Sequence, residues 1–353
     1  MKQRRILGAA AATAAVSLAL ATSAIAAPVD IGEDNYEAPV ANTIWESAAY
    51  DSYGFTIEEA SIFADTVDPT DPWAGVQVNG DAFDGFFEVW VGDEAYGQPT
   101  CGVDTCSYVV DVTTAGGDVI VQAPPQTMSG LQVAVQHRYY ANGDLGRALV
   151  SYTNPGATAV AVGTGVFSNY GSDDATTLEA DFTGDAAVTA ADRWIVTGDT
   201  GDGGDPVVST VWWGPQASLP PAEALLGDGT GDYYLDESWA GFNVTVQPGQ
   251  TVYLAFFTGI YGWLDAAVAS DVVAPDGGLA ADAVVADSYD NAVVAATAAA
   301  AEFNTFSGRL VAGIPAGAPV LNWGTVGGAA PATPVVGGAA PATPVVVAPA
   351  FTG

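Results

Sequence analysis

From Leu131 to Tyr140 the side chains alternate between two faces more strictly than anywhere else in the chain. Leu131, Val133, Val135, His137 and Tyr139 share one face; Gln132, Ala134, Gln136, Arg138 and Tyr140 share the other. Successive side chains of an extended strand point to opposite sides, so this segment is a strand with its apolar side on a core. Turn chemistry follows, with Asn142-Gly143-Asp144 and then Asn154-Pro155-Gly156 reversing the chain. Further runs of β-branched and aromatic residues, at 75–79, 86–91, 108–113, 119–123, 193–197, 207–213, 241–246 and 251–258, are separated by similar Gly, Asp and Pro turns. The expectation is a mainly β protein, a large antiparallel two-sheet sandwich. Residues 75–265 form its body and 27–74 an extension packed on one side.

The period changes near the C-terminus. Residues 280–303 are dominated by Ala and Val without Pro or Gly, which predicts one Ala-rich helix turning Val284, Val285, Val293, Val294, Ala298 and Ala301 toward the sandwich. Asp282, Asp287, Asp290 and Glu302 argue against a membrane span. A strand pair, 308–311 and 318–323, is expected to close a segment running over 266–324. From residue 325 the chain is a disordered Pro/Ala/Thr tail, in which Gly-Gly-Ala-Ala-Pro-Ala-Thr-Pro-Val-Val occurs at 327–336 and again at 337–346.

The first 26 residues read as an export signal: Lys2, Arg4 and Arg5, an apolar run shorter than the ~20 residues a bilayer span requires, and the small-x-small triplet Ala24-Ile25-Ala26. An extracellular or cell-surface location follows. Beyond that leader only Arg138, Arg147, Arg193 and Arg309 are basic, four residues against 41 acidic ones, a net charge of −37. Such a surface repels phosphate backbones and anionic lipid, which argues against nucleic acid or a membrane surface as a partner; no nucleic acid and no stable membrane insertion of the mature chain are expected.

Candidate sites are few. In an exported chain, Cys101 and Cys106 suit a short local disulfide, a half zinc site being the other option. Asp199, Asp202 and Asp205 lie in a Gly-flexed loop of the kind that can offer Ca²⁺ its hard oxygen ligands, although solvated turns have the same composition. Trp212, Trp213, Trp239 and Trp263 are candidates for stacking on sugar rings, with core packing as the bland explanation for each. Adjacent strand residues face opposite ways, so Trp212 and Trp213 cannot both enter one core. His137 falls on the apolar face of its strand, which suits a core histidine.

Several blocks carry a resemblance: Asp81–Val91 (DAFDGFFEVWV), Pro125–Tyr140, Gly146–Val162, Asn169–Thr177, Thr189–Trp194 and Pro248–Gly259. Together they look like a domain of bacterial secreted and surface proteins, similar to the large two-sheet sandwiches of sugar-mutarotase and polysaccharide-lyase type. The resemblance implies a fold, and company with adhesive or carbohydrate-linked modules, without a catalytic motif. The expected function is therefore a secreted or surface-displayed non-catalytic sandwich serving adhesion, envelope structure or carbohydrate binding, with glycans or envelope components as partners. The alternative is a carbohydrate-active enzyme, lyase or epimerase-like, with His137 in a groove beside Arg138 and a carboxylate such as Glu88. His137 and Arg138 project to opposite faces, which weighs against that constellation.

Overall fold

The computed structural model describes residues 27–32, 35–50, 54–64, 66–101, 106–199, 205–227, 234–263, 285–286, 288–303 and 306–327. The expected leader and most of the repeat tail lie outside them. In chain order the main strands are β1 (Ala27–Asp30), β2 (Tyr36–Val40), β3 (Thr43–Tyr50), β4 (Gly54–Phe63), β5 (Phe83–Val91), β6 (Val109–Ala115), β7 (Asp118–Gln122) and β8 (Leu131–Tyr139). There follow β9 (Leu145–Thr153), β10 (Val160–Tyr170), β11 (Thr177–Asp181), β12 (Trp194–Gly198), β13 (Val207–Val211), β14 (Glu223–Leu226), β15 (Glu237–Val246) and β16 (Thr251–Trp263).

Two antiparallel sheets result. A thirteen-stranded sheet runs β1-β6-β7-β8-β9-β16-β13-β12-β11 with short strands off this path, and a nine-stranded sheet runs β14-β15-β10-β5-β4-β3-β2. Their facing sides enclose the main core, in which Trp45, Phe55, Phe86, Phe87, Tyr139 and Phe256 are fully buried. The alternation on β8 acts as its sequence implies: Leu131, Val133, Val135 and Tyr139 enter this core.

Residues 36–63 are not an extension laid over the sandwich. They supply β2, β3 and β4, one flank of the nine-stranded sheet, and β1 adds an edge to the other sheet. Their inward residues Trp45, Phe55, Ile57, Ala60 and Ile62 are core, while the intervening glutamates made the segment read as acidic surface.

The helix is shorter than its composition suggested. Helix α1 spans Tyr289–Glu302, starting where the Ser288 side chain accepts a hydrogen bond from the Asn291 amide. That start sets the helical phase, so the buried stripe is Ala292, Ala296, Ala300 and Phe303; of the face expected, Val293 packs at the edge of this stripe while Val294, Ala298 and Ala301 are exposed. Val285 belongs to a two-residue strand parallel to the end of β16, and Val284 lies outside the described residues. Alanine at four-residue spacing lets the helix approach the outer face of the thirteen-stranded sheet closely, over β16, β13 and β12. Residues 308–311 form a 3₁₀ turn where a strand was expected, and 324–325 a short strand where the tail was expected to begin.

This C-terminal segment is fastened by side chains reaching out of the sheet. Arg147 donates to the carbonyls of Leu310 and Ala312, at 2.9 Å each, and Arg138 donates to that of Ala312 at 3.1 Å. Asn322 behaves as a surrogate strand residue: its Oδ1 accepts from Ala255 N, and its Nδ2 donates to Ala255 O and Trp212 O at 2.7 Å each. The thirteen-stranded sheet is thus covered on both faces, which explains why β16, TVYLAFFTGIYGW, is apolar on both of its sides. Among the described residues no helix is long and apolar enough to cross a membrane.

Candidate functional site

The outer face of the nine-stranded sheet, the side away from the core, gathers the carboxylates and amides that the core cannot explain. On β5, Phe87 and Val89 face inward and Glu88 outward. This orientation depends on a bulge: Phe167 pairs with Glu88 and Ser168 with Phe86, leaving Phe87 as the extra residue, with a φ of 57°. A bulky residue in the left-handed region is strained, and such strain accumulates at functional positions. Gly85 makes the room the carboxylate needs, since a Cβ there would stand 2.8 Å from Glu88 Oε1.

The register lays out the rest. Glu88 on β5, Phe167 on β10 and Trp239 on β15 form one row across the sheet. Trp90, Gly165 and Gly241 form the next, and the Trp239 ring lies over Gly165 where any Cβ would collide with it at 2.4 Å. Asn169 faces Glu237 on one side of these rows, and Gly163 faces Asn243 on the other. Glu58 on β4, with Tyr50 and Glu46 on β3, extends the face toward the flank. From Glu237 to Asn243 the rows cover six residues of strand, about 20 Å at ~3.3 Å per residue.

These groups are poorly compensated. Among the described residues, the buried carboxylate and amide oxygens left without a hydrogen-bond partner are Glu58 Oε2, Glu88 Oε2, Asn169 Oδ1 and Asn243 Oδ1, all on this face. Buried acceptors are nearly always satisfied, because an unmet one costs about 1–3 kcal/mol. Burial holds Glu88 well above the usual carboxylate range, with repulsion from Glu58 and Glu237 adding to it and a hydrogen bond from Trp90 opposing it. Burial likewise pushes Glu58 up to about 7, opposed by its bond from Tyr50 and reinforced by Asp84, Glu46 and Glu59. Glu46 and Glu237 are raised too, chiefly by burial. Glu88 is 1% exposed, whereas Glu58, Trp90, Asn169 and Asn243 keep partial exposure, so they are the groups that meet solvent.

The residues singled out in the sequence fall in different places. Trp239 belongs to the face just described and donates from Nε1 to Glu223 Oε1 at 2.9 Å. Trp212 is fully buried in the core. Trp213 is partly buried, donates to the Asp192 carbonyl and carries the Arg193 guanidinium 5.1 Å above its ring. Trp263 meets Tyr289 edge-on at 5.6 Å and donates to the Asp205 carbonyl. Cys101 and Cys106 are joined in a disulfide.

Of the Asp199, Asp202 and Asp205 trio, Asp202 lies outside the described residues. Asp205 borders a cavity of about 420 Å³ with Glu59, Gln77, Gly80 and Asp81. Burial, then repulsion from Asp81, Asp199, Asp173 and Asp84, pushes Asp205 up to about 7. Among the described residues no three His, Cys, Asp or Glu side chains converge as a metal-ligand set.

His137 does not open to a groove, which removes it from the enzymatic constellation considered above. Its ring is fully buried and stacks on Phe55 at 4.1 Å and 8°, and its Nδ1 shares a hydrogen bond with Ser47 Oγ at 3.1 Å. Burial pushes its pKa down to about 3, so it is neutral. Arg138 lies on the opposite face of the same strand, paired with Asp118 at 2.7 Å. Glu88 belongs to the other sheet altogether.

Sequence reasoning missed Glu58, Trp90, Asn169, Glu237 and Asn243. A usable signal was the single polar residue inside dense apolar runs, as Glu88 in FFEVWV and Asn243 in GFNV.

The class these features define is a mainly β protein built as a two-sheet antiparallel sandwich. No family model matches the chain, and neither does any curated protein. Among solved structures it is similar to a protein from human microbiome described as a kojibiose phosphorylase, with 8% identity and a TM-score of 0.41 over 77% of this chain and 33% of that one. It is also similar to a protein described as an aldose 1-epimerase from Klebsiella pneumoniae, with 10% identity and a TM-score of 0.40 over 79% and 96% of the two chains. A galactose mutarotase-like protein from Lactobacillus casei matches at 9% identity and a TM-score of 0.33, over 64% of this chain and all of that one. The chain spans about a third of the phosphorylase-like protein's length.

Proposed function

We propose that the protein is a secreted or surface-displayed carbohydrate-binding sandwich that holds a glycan on the outer face of its nine-stranded sheet. The observation that carries this is the convergence there of four unpaired acceptor oxygens, on four neighbouring strands, around the partly exposed ring of Trp90; Trp239 and Phe167 are buried. A sugar supplies the complement: hydroxyl donors around its edge and an apolar C–H face that stacks on aromatic rings. The span of about 20 Å suits several sugar units rather than one.

The test is a glycan array probed with the folded protein and with an Asn169→Ala/Asn243→Ala variant. Binding of at least one oligosaccharide, weakened about tenfold or more in the variant, is expected. A blank array with folded wild type would leave an architectural role.

One observation favours a second reading. Glu58 and Glu88 are neighbouring carboxyls whose pKa values are both raised, and a pair of that kind can divide acid and base roles. Release of new reducing or unsaturated ends from a bound glycan, abolished by Glu88→Gln, would establish catalysis.

A further inference from the structure

Resting on the carbohydrate reading above, we infer that the face selects glycans carrying free amino groups, of the glucosamine type, and rejects uronate-rich ones. The nine-stranded sheet contains no Lys, Arg or His in any of its strands. Every arginine among the described residues is elsewhere: Arg138 and Arg147 reach out of the thirteen-stranded sheet, Arg193 precedes β12, and Arg309 sits in the 3₁₀ turn. Against this, Glu46, Glu58, Glu88 and Glu237 all project from the outer face.

Acidic residues together would by themselves say little. Here Glu88, 1% exposed, keeps one carboxylate oxygen without a partner, and the Asn169 and Asn243 amide oxygens are likewise unmet on the same face. An ammonium group brings three N–H donors and a positive charge to such acceptors, and the partly exposed Trp90 ring adds cation–π attraction. A uronate brings a second anion into partly desolvated surroundings with no cation to receive it. N-acetylation removes the charge and leaves one amide donor, so an N-acetylated oligomer falls between. Burial and repulsion from nearby carboxylates already hold Glu58 and Glu88 toward the protonated form, the state of carboxyls that lack a counter-charge.

A chain of net charge −34 attracts any cation at low salt, so the experiment separates the face from the whole. Titration calorimetry at physiological ionic strength compares the hexamers of glucosamine, N-acetylglucosamine, glucose and galacturonate. The proteins are the wild type, Glu58→Gln/Glu88→Gln, Glu237→Gln alone, and an equal-charge control, Asp111→Asn/Asp290→Asn, whose exposed acids lie on β6 and α1.

The glucosamine hexamer is expected to bind at least tenfold more tightly than its N-acetylated counterpart. That ratio should fall below about twofold in Glu58→Gln/Glu88→Gln, fall partway in Glu237→Gln and persist in the control. The inference is overturned if the galacturonate hexamer binds as well as the glucosamine one, or if the control loses the preference as fully as the face variants. Binding of the glucose or N-acetylglucosamine hexamer without a glucosamine preference would also overturn it while leaving the carbohydrate reading intact. Failure of all four hexamers to bind folded wild type removes both.

Discussion

Replacing Glu58 by Gln should make the protein more stable in alkali and no more stable in acid. Burial, with repulsion from Asp84, Glu46 and Glu59, raises this carboxyl from 4.5 to about 7 in the fold. A carboxyl whose folded pKa exceeds its unfolded one binds protons more readily in the native state. Its ionised form therefore penalises folding above about pH 7, and the penalty disappears as pH falls from 7 toward 4.5. At about 1.4 kcal/mol per pH unit that interval is worth roughly 3 kcal/mol, reduced to about 2 by solvent at the partly exposed carboxyl. Glutamine keeps the shape and can still accept from Tyr50, so the variant should gain about 2 kcal/mol at pH 8.5, or roughly 4–8 °C in Tm. Urea unfolding followed by Trp fluorescence at pH 8.5 and pH 4.5 measures the difference directly. Equal stability of wild type and variant at pH 8.5, or the same gain at both pH values, refutes the argument that this carboxylate is desolvated without a counter-charge. If the face binds glycans, the stabilised variant should also bind them less well, the trade commonly seen where a site is held against stability.

Three further outcomes follow from the geometry. His137, held neutral by burial with a pKa pushed down to about 3, contributes stability that is complete above about pH 6.5 and is lost as pH falls toward 3; in His137→Phe the slope of unfolding free energy against pH should flatten there by about one proton, and an unchanged slope would show that the ring is not sealed. Asn322→Ala leaves the Ala255 amide and the Trp212 carbonyl unmet in the core and should cost about 3–5 kcal/mol, with a loss below about 1 kcal/mol in urea unfolding contradicting the strand-surrogate role. A Ca²⁺ ion held by Asp199, Asp202 and Asp205 would raise the melting midpoint by several degrees over that in chelator, and coincident melting curves would dismiss the loop as a metal site.

What the sequence disclosed depended on whether a residue's fate is decided locally. The alternation on β8 placed His137 on the core side because Leu131, Val133 and Val135 leave no other way to bury that strand. The extension misread at residues 36–63 shows the opposite case. Its glutamates point to the outer face while Trp45, Phe55 and Ile57 carry the core, and the bulge in the β3–β4 pairing interrupts the period that would have announced two strands. The candidate site was hidden for a different reason. Its parts come from β3, β4, β5, β10 and β15, up to about 200 residues apart, and meet only through a register fixed by the extra residue Phe87. No spacing rule reaches across such distances. Trp239 could be suspected, but its neighbour Glu88 could not be assigned to it.

Strand β16 lies in the middle of its sheet, hydrogen-bonded to β9 on one side and β13 on the other, although it is made some hundred residues after β9. Strand β15 likewise completes the pairing of β10 in the second sheet. Neither layer can close until about two thirds to three quarters of the chain has emerged, so a ribosome-bound precursor must carry open, sticky strand edges for most of its synthesis. For such a topology, slow and late collapse is built in, and a chaperone that shields edges would govern its yield more than any single contact in the finished protein.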